Sequence, residues 1–393
     1  MNILIAAASF ASEISGVQRH ALNLVRCLLP RPEVATIHLV LAPWQSSFLE
    51  DSELAHHRRV TTHIAQLNRS SLSRNLWYYR RLPEMAARLH ANLVHLSCPM
   101  PVNAAAFHCP TVVTLHDMYP YDIPMNFGFS KFPFNRLVVR QCLRNIDAIA
   151  CVSDTTVARV SRYFPAAVAK AVRIYNCVEP VPDTSATAPM PNWDGEPFFL
   201  SVAQHRRNKN LPLVIRAFER LLSSGQIAPK AKLVIVGIRG PETATIERLV
   251  TRSGLIRSVC FLQGISDSEL QWCYRHCEAL LAPSITEGFG LPIAEGILAG
   301  CRIVASDIPA HREICHRPCT FIQLQEKPEQ AMTAAIVAAL GAPKPPPEFL
   351  PRLSAPVLAE QYVNLYRHLI AVSAKDRSEN RPVALTASER PPL

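Results

Sequence analysis

The chain is predicted to be an α/β protein built from two doubly wound parallel-sheet domains, and three observations carry that prediction. Its 393 residues exceed what a single core usually supports. Short apolar runs alternate with amphipathic segments along almost the whole length, which is the pattern of strands joined by crossover helices. A stretch holding Pro182, Pro189 and Pro191 among Ser and Thr interrupts the alternation near 180–197, as a linker between two domains would.

The first series opens with the apolar run 2–7. It is read as a strand because parallel strands covered on both faces lack a polar alternation. A helix at 17–29 and a strand at 36–42 follow, then a helix at 76–89 and strands at 93–96 and 111–115. After a long loop, a helix at 135–144 leads to a strand at 148–152. The second series places strands at 198–202, 233–236, 260–262, 279–281 and 302–305. Helices at 211–222, 241–252, 267–276 and 292–299 lie between them. Pro292 suits the first turn of the last of these, and Gly300 is placed to end it. The expected domains are therefore 1–180 and 198–354, joined by a linker at 181–197. The polar, Pro-containing stretch 374–393 reads as a disordered tail. Ligands of doubly wound sheets bind beyond the carboxyl ends of the strands, so a central cleft faced by both domains is the expected site.

Composition narrows the class. With 49% hydrophobic and 18% charged residues the chain is an ordinary globular protein. No apolar run reaches bilayer-spanning length. The apolar start lacks a positive n-region and reads as a strand rather than a signal peptide, so a cytoplasmic location is expected. Twelve cysteines are scattered through apolar segments and are expected to stay reduced. Their spacing, including Cys273/Cys277 and Cys315/Cys319, matches no zinc frame, and no metal is expected. Residues 1–180 hold 18 Lys/Arg against 11 Asp/Glu, so most of the +10 net charge lies in the first half. That half is expected to meet something anionic.

Candidate site residues cluster after strands. Glu287-Gly288-Phe289-Gly290-Leu291-Pro292 leads from a strand end into a helix that carries Glu295. Backbone N–H groups and the positive helix end there favour an anion such as a diphosphate. Glutamates at a helix start also compensate its dipole, and that alternative stays open on the motif alone. Arg206, Arg207 and Lys209 follow another strand end, and His116 with Asp117 follows a third; Ser153 is a lesser candidate. Arg136, Arg140 and Arg144 stand four residues apart on one helix, after Phe129, Phe132 and Phe134. A second basic-aromatic region holds Arg69, Arg74, Trp77, Tyr78, Tyr79, Arg80 and Arg81. Both regions suit lipid phosphates or an anionic leaflet, or else are solvated faces with their aromatics in the core.

The stretch from Pro283-Ser284 through Glu287-Gly288-Phe289-Gly290-Leu291-Pro292 to Glu295-Gly296 resembles the signature of the retaining glycosyltransferases of family 4, which have the GT-B fold. Other segments resemble that family in the same order: Ser15-Gly16-Val17-Gln18-Arg19-His20, Val113-Thr114-Leu115-His116-Asp117, Ile174-Tyr175-Asn176, Asn208-Lys209-Asn210, Leu233 to Gly237, and Val304 to Asp307 ahead of Glu313. The resemblance runs from residue 2 to about 373.

It implies a hexosyltransferase that takes mannose or glucose from a UDP- or GDP-type nucleotide diphosphate sugar, with no further cofactor. The acceptor would be a glycan or a lipid-linked glycan of cell-envelope or exopolysaccharide synthesis. Glu295 would receive the ribose hydroxyls, and Glu287 those of the transferred sugar. Gly288, Phe289, Gly290 and Leu291 would hold sugar and phosphate through their amides. Lys209, with Arg206 or Arg207, would grip the diphosphate. Gln204 stands where the family usually carries an arginine, which makes those neighbours its substitutes. Gly264 would lie against the base, the alternative being an ordinary turn glycine. Gly16 would let backbone approach the diphosphate, and His116 would approach the sugar, so that His116, Lys209 and Glu287 are the expected catalytic set. A helix at 355–373 would cross back to the first domain. Attack from the donor's own leaving-group side, with the phosphate accepting the proton, would need no metal. Arg136, Arg140 and Arg144 would meet the acceptor or the inner face of the plasma membrane. A sugar-nucleotide epimerase of the same fold and a non-catalytic basic binding protein are the rivals; no nucleic-acid-binding module is legible.

Overall fold

The structure is a computed structural model that describes residues 1–10, 15–49, 53–123, 128–180, 187–191, 193–315 and 319–379. The chain divides into two compact units, one formed by Met1–Cys177 with the chain from Pro351 onward and the other by Val178–Leu350.

The first unit carries seven strands: β1 (Asn2–Ala6), β2 (Thr36–Leu41), β3 (Val60–Ile64), β4 (Leu93–Leu96), β5 (Thr111–Leu115), β6 (Ala148–Cys151) and β7 (Ala171–Arg173). They form one sheet in the order β3-β2-β1-β4-β5-β6-β7. All pairings are parallel, with Ile3 of β1 opposite Ile37 on one side and Leu93 on the other. Its connecting helices are α1 (Gly16–Leu28), α2 (Ser71–Leu76), α3 (Leu82–Arg88), α4 (Tyr119–Asp122), α5 (Gly128–Asn145) and α6 (Asp154–Tyr163). The expected helix at 76–89 is instead α2 and α3 joined by a π turn at Trp77–Arg81, which turns Trp77 and Tyr78 into the core.

The second unit has six parallel strands: β8 (Phe198–Val202), β9 (Lys232–Val236), β10 (Val259–Leu262), β11 (Ala279–Ala282), β12 (Ile303–Ser306) and β13 (Thr320–Ile322). Their order is β10-β9-β8-β11-β12-β13. The helices are α7 (Leu211–Ser223), α8 (Thr243–Arg252), α9 (Asp267–His276), α10 (Leu291–Ala299), α11 (Pro309–Ile314) and α12 (Pro328–Gly341). Gly237, just after β9, lies so close to the end of β8 that a Cβ would sit 2.1 Å from the Ala203 carbonyl oxygen. Only glycine permits that approach.

The last helix, α13 (Ala355–Glu379), belongs to the first unit and packs on α1. There the Tyr366 hydroxyl meets His95 Nδ1 at 2.5 Å. The helix runs six residues beyond the expected end at 373, so the expected tail loses its first residues to helix, and its remainder from 380 lies outside the described residues. Helix-forming Ala374 and Lys375 continue the run without a breaker.

Two further expectations change. Of the expected linker, 181–186 and 192 lie outside the described residues. Trp193 packs edge-on against Trp272 with ring centroids 5.0 Å apart, so the end of that segment is part of the second unit. Cys315 and Cys319 form a disulfide rather than staying reduced. Their Cα atoms stand 6.6 Å apart, within disulfide reach.

Candidate active site

In the second unit the sheet reverses its winding between the neighbours β8 and β11. Ligands of doubly wound sheets bind beyond the carboxyl ends of the strands at such a point. The loop after β8 carries Arg206–Lys209 and the loop after β11 carries the Glu287-Gly288-Phe289-Gly290 motif. Ile285 N–H donates to the Asn208 carbonyl at 2.7 Å and ties the loops together. Asn210, in left-handed conformation, starts α7. Gly290, also left-handed, is the N-cap of α10.

The tied loops bring together the residues that the sequence spaces far apart. Lys209 Nζ bonds Glu287 Oε1, and Ser284 Oγ donates to the same oxygen at 2.7 Å. Glu287 is buried, at 7% exposure. Burial pushes its pKa up, but Lys209, His311 and the two hydrogen bonds outweigh that and hold it below the usual carboxylate range. The carboxylate is therefore charged at neutral pH. Lys209, Ser284, Glu287, Gly290 and His311 line one small pocket. Glu295 lies further along α10, where Tyr274 OH donates to its Oε2 at 2.6 Å. Tyr274, on α9, is 1% exposed.

Other expected donor-side residues are less committed. Arg206 is half-buried, and its Nε has no hydrogen-bond partner among the described residues, while Arg207 is exposed. Gly288 and Phe289 are buried and Leu291 is half-buried at the start of α10. Gly264 has a φ of +69° and open space around its α-carbon, which a turn glycine explains by itself.

In the first unit Gly16 begins α1, and a Cβ there would meet nothing within 4 Å. His116, after β5, donates from Nε2 to the Ser97 carbonyl at 2.9 Å. Desolvation lowers its pKa to about 4, against the raising effect of that bond. It is thus a neutral imidazole. Behind it stands His20, edge-on at 4.9 Å between ring centroids. His20 Nδ1 pairs with Asn176 Oδ1 at 2.8 Å and its Nε2 with Thr114 Oγ1 at 3.0 Å. The Thr114 hydroxyl also meets His95 Nε2 at 2.7 Å, so a buried chain of polar groups runs from α1 through β4 and β5 to α13.

The expected basic row on α5 is broken. Arg136 donates from Nε to the Pro120 carbonyl at 2.8 Å and stacks over Tyr121, whereas Arg140 and Arg144 are exposed. Steps of four residues on a 3.6-residue helix drift by about 40° each, so the first and third arginines diverge. The side chains of Phe129 and Phe132 lie outside the described residues. The second basic-aromatic region also splits, because Trp77 and Tyr78 are core residues and Arg74 covers the Phe10 ring.

Sequence reasoning assigned no role to Ser284, Tyr274, His311, His20 or Asn176. Ser284, His20 and Asn176 lie within stretches that resemble the family. Tyr274 and His311 have no local signal, because each is defined by a partner on another element. Among the described residues no three His, Cys, Asp or Glu side chains gather as a metal site requires. No helix among them is long and apolar enough to cross a membrane.

The family profile described as Glycosyltransferase Family 4 matches residues 14–181, and that described as Glycosyl transferases group 1 matches residues 187–336. The chain belongs to the group 1, family 4 glycosyltransferases. It is 27% identical over 210 residues to the O-antigen chain mannosyltransferase RfbU of Salmonella typhimurium, a match covering 53% of this chain and 56% of that protein. The chain thus spans about half the length of that relative. It is 24% identical over 342 residues to the O-antigen chain mannosyltransferase B of Escherichia coli, covering 80% of this chain and 84% of the relative. Its fold is similar to that of Anabaena Alr3699/HepE, solved in complex with UDP-glucose, with a TM-score of 0.63 and 17% identity over 94% of this chain and 100% of that one. With its two parallel-sheet units, this glycosyltransferase has the GT-B fold.

Proposed function

We propose that this glycosyltransferase moves a hexose of the mannose or glucose type from a UDP- or GDP-sugar to a glycan or lipid-linked acceptor, with retention of configuration and without a metal, in cell-envelope or exopolysaccharide synthesis. The observation that carries this reading is the buried, charged Glu287 carboxylate held by Lys209 and Ser284 at the switch point of the sheet. A buried carboxylate that stays ionised is a hydrogen-bond acceptor suited to sugar hydroxyls. The O-antigen mannosyltransferase relatives support the acceptor class, and the UDP-glucose complex of HepE supports the donor class.

In this reading Glu287 receives hydroxyls of the transferred sugar and Glu295 those of the ribose. The amides of Gly288 to Leu291 hold sugar and phosphate. Lys209 meets the diphosphate, whose charge grows as the glycosidic bond breaks, and so stabilises the transition state more than the ground state. Arg206, with its unpartnered Nε, takes the place that Gln204 leaves neutral. Gly16 admits the diphosphate to the backbone at the start of α1. His116 serves the sugar as a neutral imidazole. The acceptor oxygen attacks from the leaving-group side while a donor phosphate oxygen takes its proton; the new glycosidic bond replaces the broken one with the same configuration. The chain works in the cytoplasm and rests on the membrane's inner face through Arg140, Arg144 and the exposed Phe134 and Leu137 of α5.

A panel of UDP- and GDP-hexoses tests the reading. One donor should release its nucleotide diphosphate slowly without acceptor, and activity should survive EDTA. The product anomer should keep the donor's configuration by NMR. Failure to bind or turn over any donor would sink the activity, and an inverted product would sink retention.

A further inference from the structure

His311 is a buried imidazole, 1% exposed, in the same small pocket as Glu287 and Lys209, yet it lies on α11, outside the motif loops. Its Nδ1 stands 2.9 Å from the Ser306 carbonyl oxygen, which can only accept, so Nδ1 carries the proton. In the neutral ring Nε2 is then an acceptor. The ring lies against Gly290: a Cβ there would come within 3.3 Å of Cδ2 and 3.9 Å of Nε2. The Nε2 edge thus faces the loop that opens α10. Burial lowers the pKa of His311, and Lys209 adds to that, while Glu287 and the Ser306 bond oppose it; the net shift is downward, so the ring is neutral at neutral pH.

We propose that His311 Nε2 accepts a hydrogen bond from a hydroxyl of the transferred sugar and so sets which sugar the donor pocket prefers, a role that rests on the glycosyltransferase reading above. A neutral nitrogen acceptor beside an ionised carboxylate gives the pocket two acceptors of different charge. Both suit a polyhydroxyl group, and neither attracts the phosphates. Rejection of an analogue that lacks the matching hydroxyl follows, because the buried acceptor would be left unpaired.

The test compares the native enzyme with His311→Leu, which removes the acceptor, and His311→Gln, which keeps one. Binding of UDP and GDP, which lack the sugar, is measured by calorimetry. Turnover of the accepted nucleotide sugar and of its monodeoxy analogues is measured in parallel. We expect His311→Leu to bind the nucleotide within about twofold of native and to lose on the order of tenfold in kcat/KM with the intact donor, with His311→Gln recovering part. The native enzyme should reject one deoxy position on the order of tenfold, and that discrimination should vanish in His311→Leu. Discrimination unchanged in the leucine variant, or nucleotide and donor affinity falling equally, overturns the role while leaving the glycosyltransferase reading intact. If the native enzyme binds neither nucleotide, both fall.

Discussion

Tyr274 and Glu295 are joined by a 2.6 Å hydrogen bond in which the core of α9 orients a carboxylate on α10. The phenol is buried and its hydroxyl donates to that carboxylate. Tyr274→Phe keeps the packing and removes the donor. A hydrogen bond to a charged group is worth about 1.5–3 kcal/mol. Nucleotide affinity should therefore fall about 10- to 100-fold while kcat changes little, as calorimetry and steady-state kinetics would report. Unchanged affinity would mean that Glu295 does not serve the nucleotide.

Lys209 and Glu287 form a pair with side-chain exposures of 18% and 9%. Lys209→Met leaves the buried carboxylate without its cation and should destabilise the second unit by about 2–4 kcal/mol. It should also lower kcat more than it raises KM. Adding Glu287→Gln removes the stranded charge, so the double variant should regain stability without regaining activity. Thermal unfolding and kinetics of the three variants separate the two effects; full activity in either single variant would remove that residue from the mechanism.

His20, His95 and His116 are all held neutral, chiefly by burial, with His95 lowered to about 3 and His116 to about 4. In the unfolded chain they titrate near 6.5. The unfolded state thus binds more protons below that pH. Their stabilising contribution is complete above about pH 6.5 and is lost as pH falls toward the folded values. The slope is about 1.4 kcal/mol per pH unit for each histidine. Urea midpoints at pH 7.5, 6 and 5 should fall steadily, and His95→Gln should flatten the trend; a midpoint that holds constant down to pH 5 contradicts it.

Gly290 and Gly264 both have positive φ, at 100° and 69°, yet their surroundings differ. Gly264→Ala meets open space and should cost only the backbone strain, about 1–2 kcal/mol, with donor binding unchanged. Gly290→Ala adds a contact 3.3 Å from the His311 ring and should displace it, weakening donor binding as well as lowering the melting temperature. Equal losses of donor affinity in the two variants would show that Gly264 also serves the ligand.

Much of the frame was legible in the residues. Buried parallel strands such as β1, β6 and β11 announce themselves as apolar runs, because both faces of the sheet are covered. The short edge strands were not foreseen. β7 and β13 have three residues each, and β3 mixes Thr and His among its apolar residues. Edge strands are defined by their pairing partners more than by their own composition. The family-like order of motifs likewise put Lys209 and Glu287 forward as members of one donor site, although 78 positions separate them.

Local chemistry thus decided the fold class, the strand-to-helix loops and the candidate anion ligands, because periodicity, glycines and charges act over a few residues. Folding alone decided the rest. It paired Lys209 with Glu287, set Tyr274 behind Glu295, turned Arg136 onto Tyr121 and seated His311 on Gly290. Each of these depends on where a second element packs, and a side chain's protonation and partners follow from that burial rather than from its neighbours in sequence.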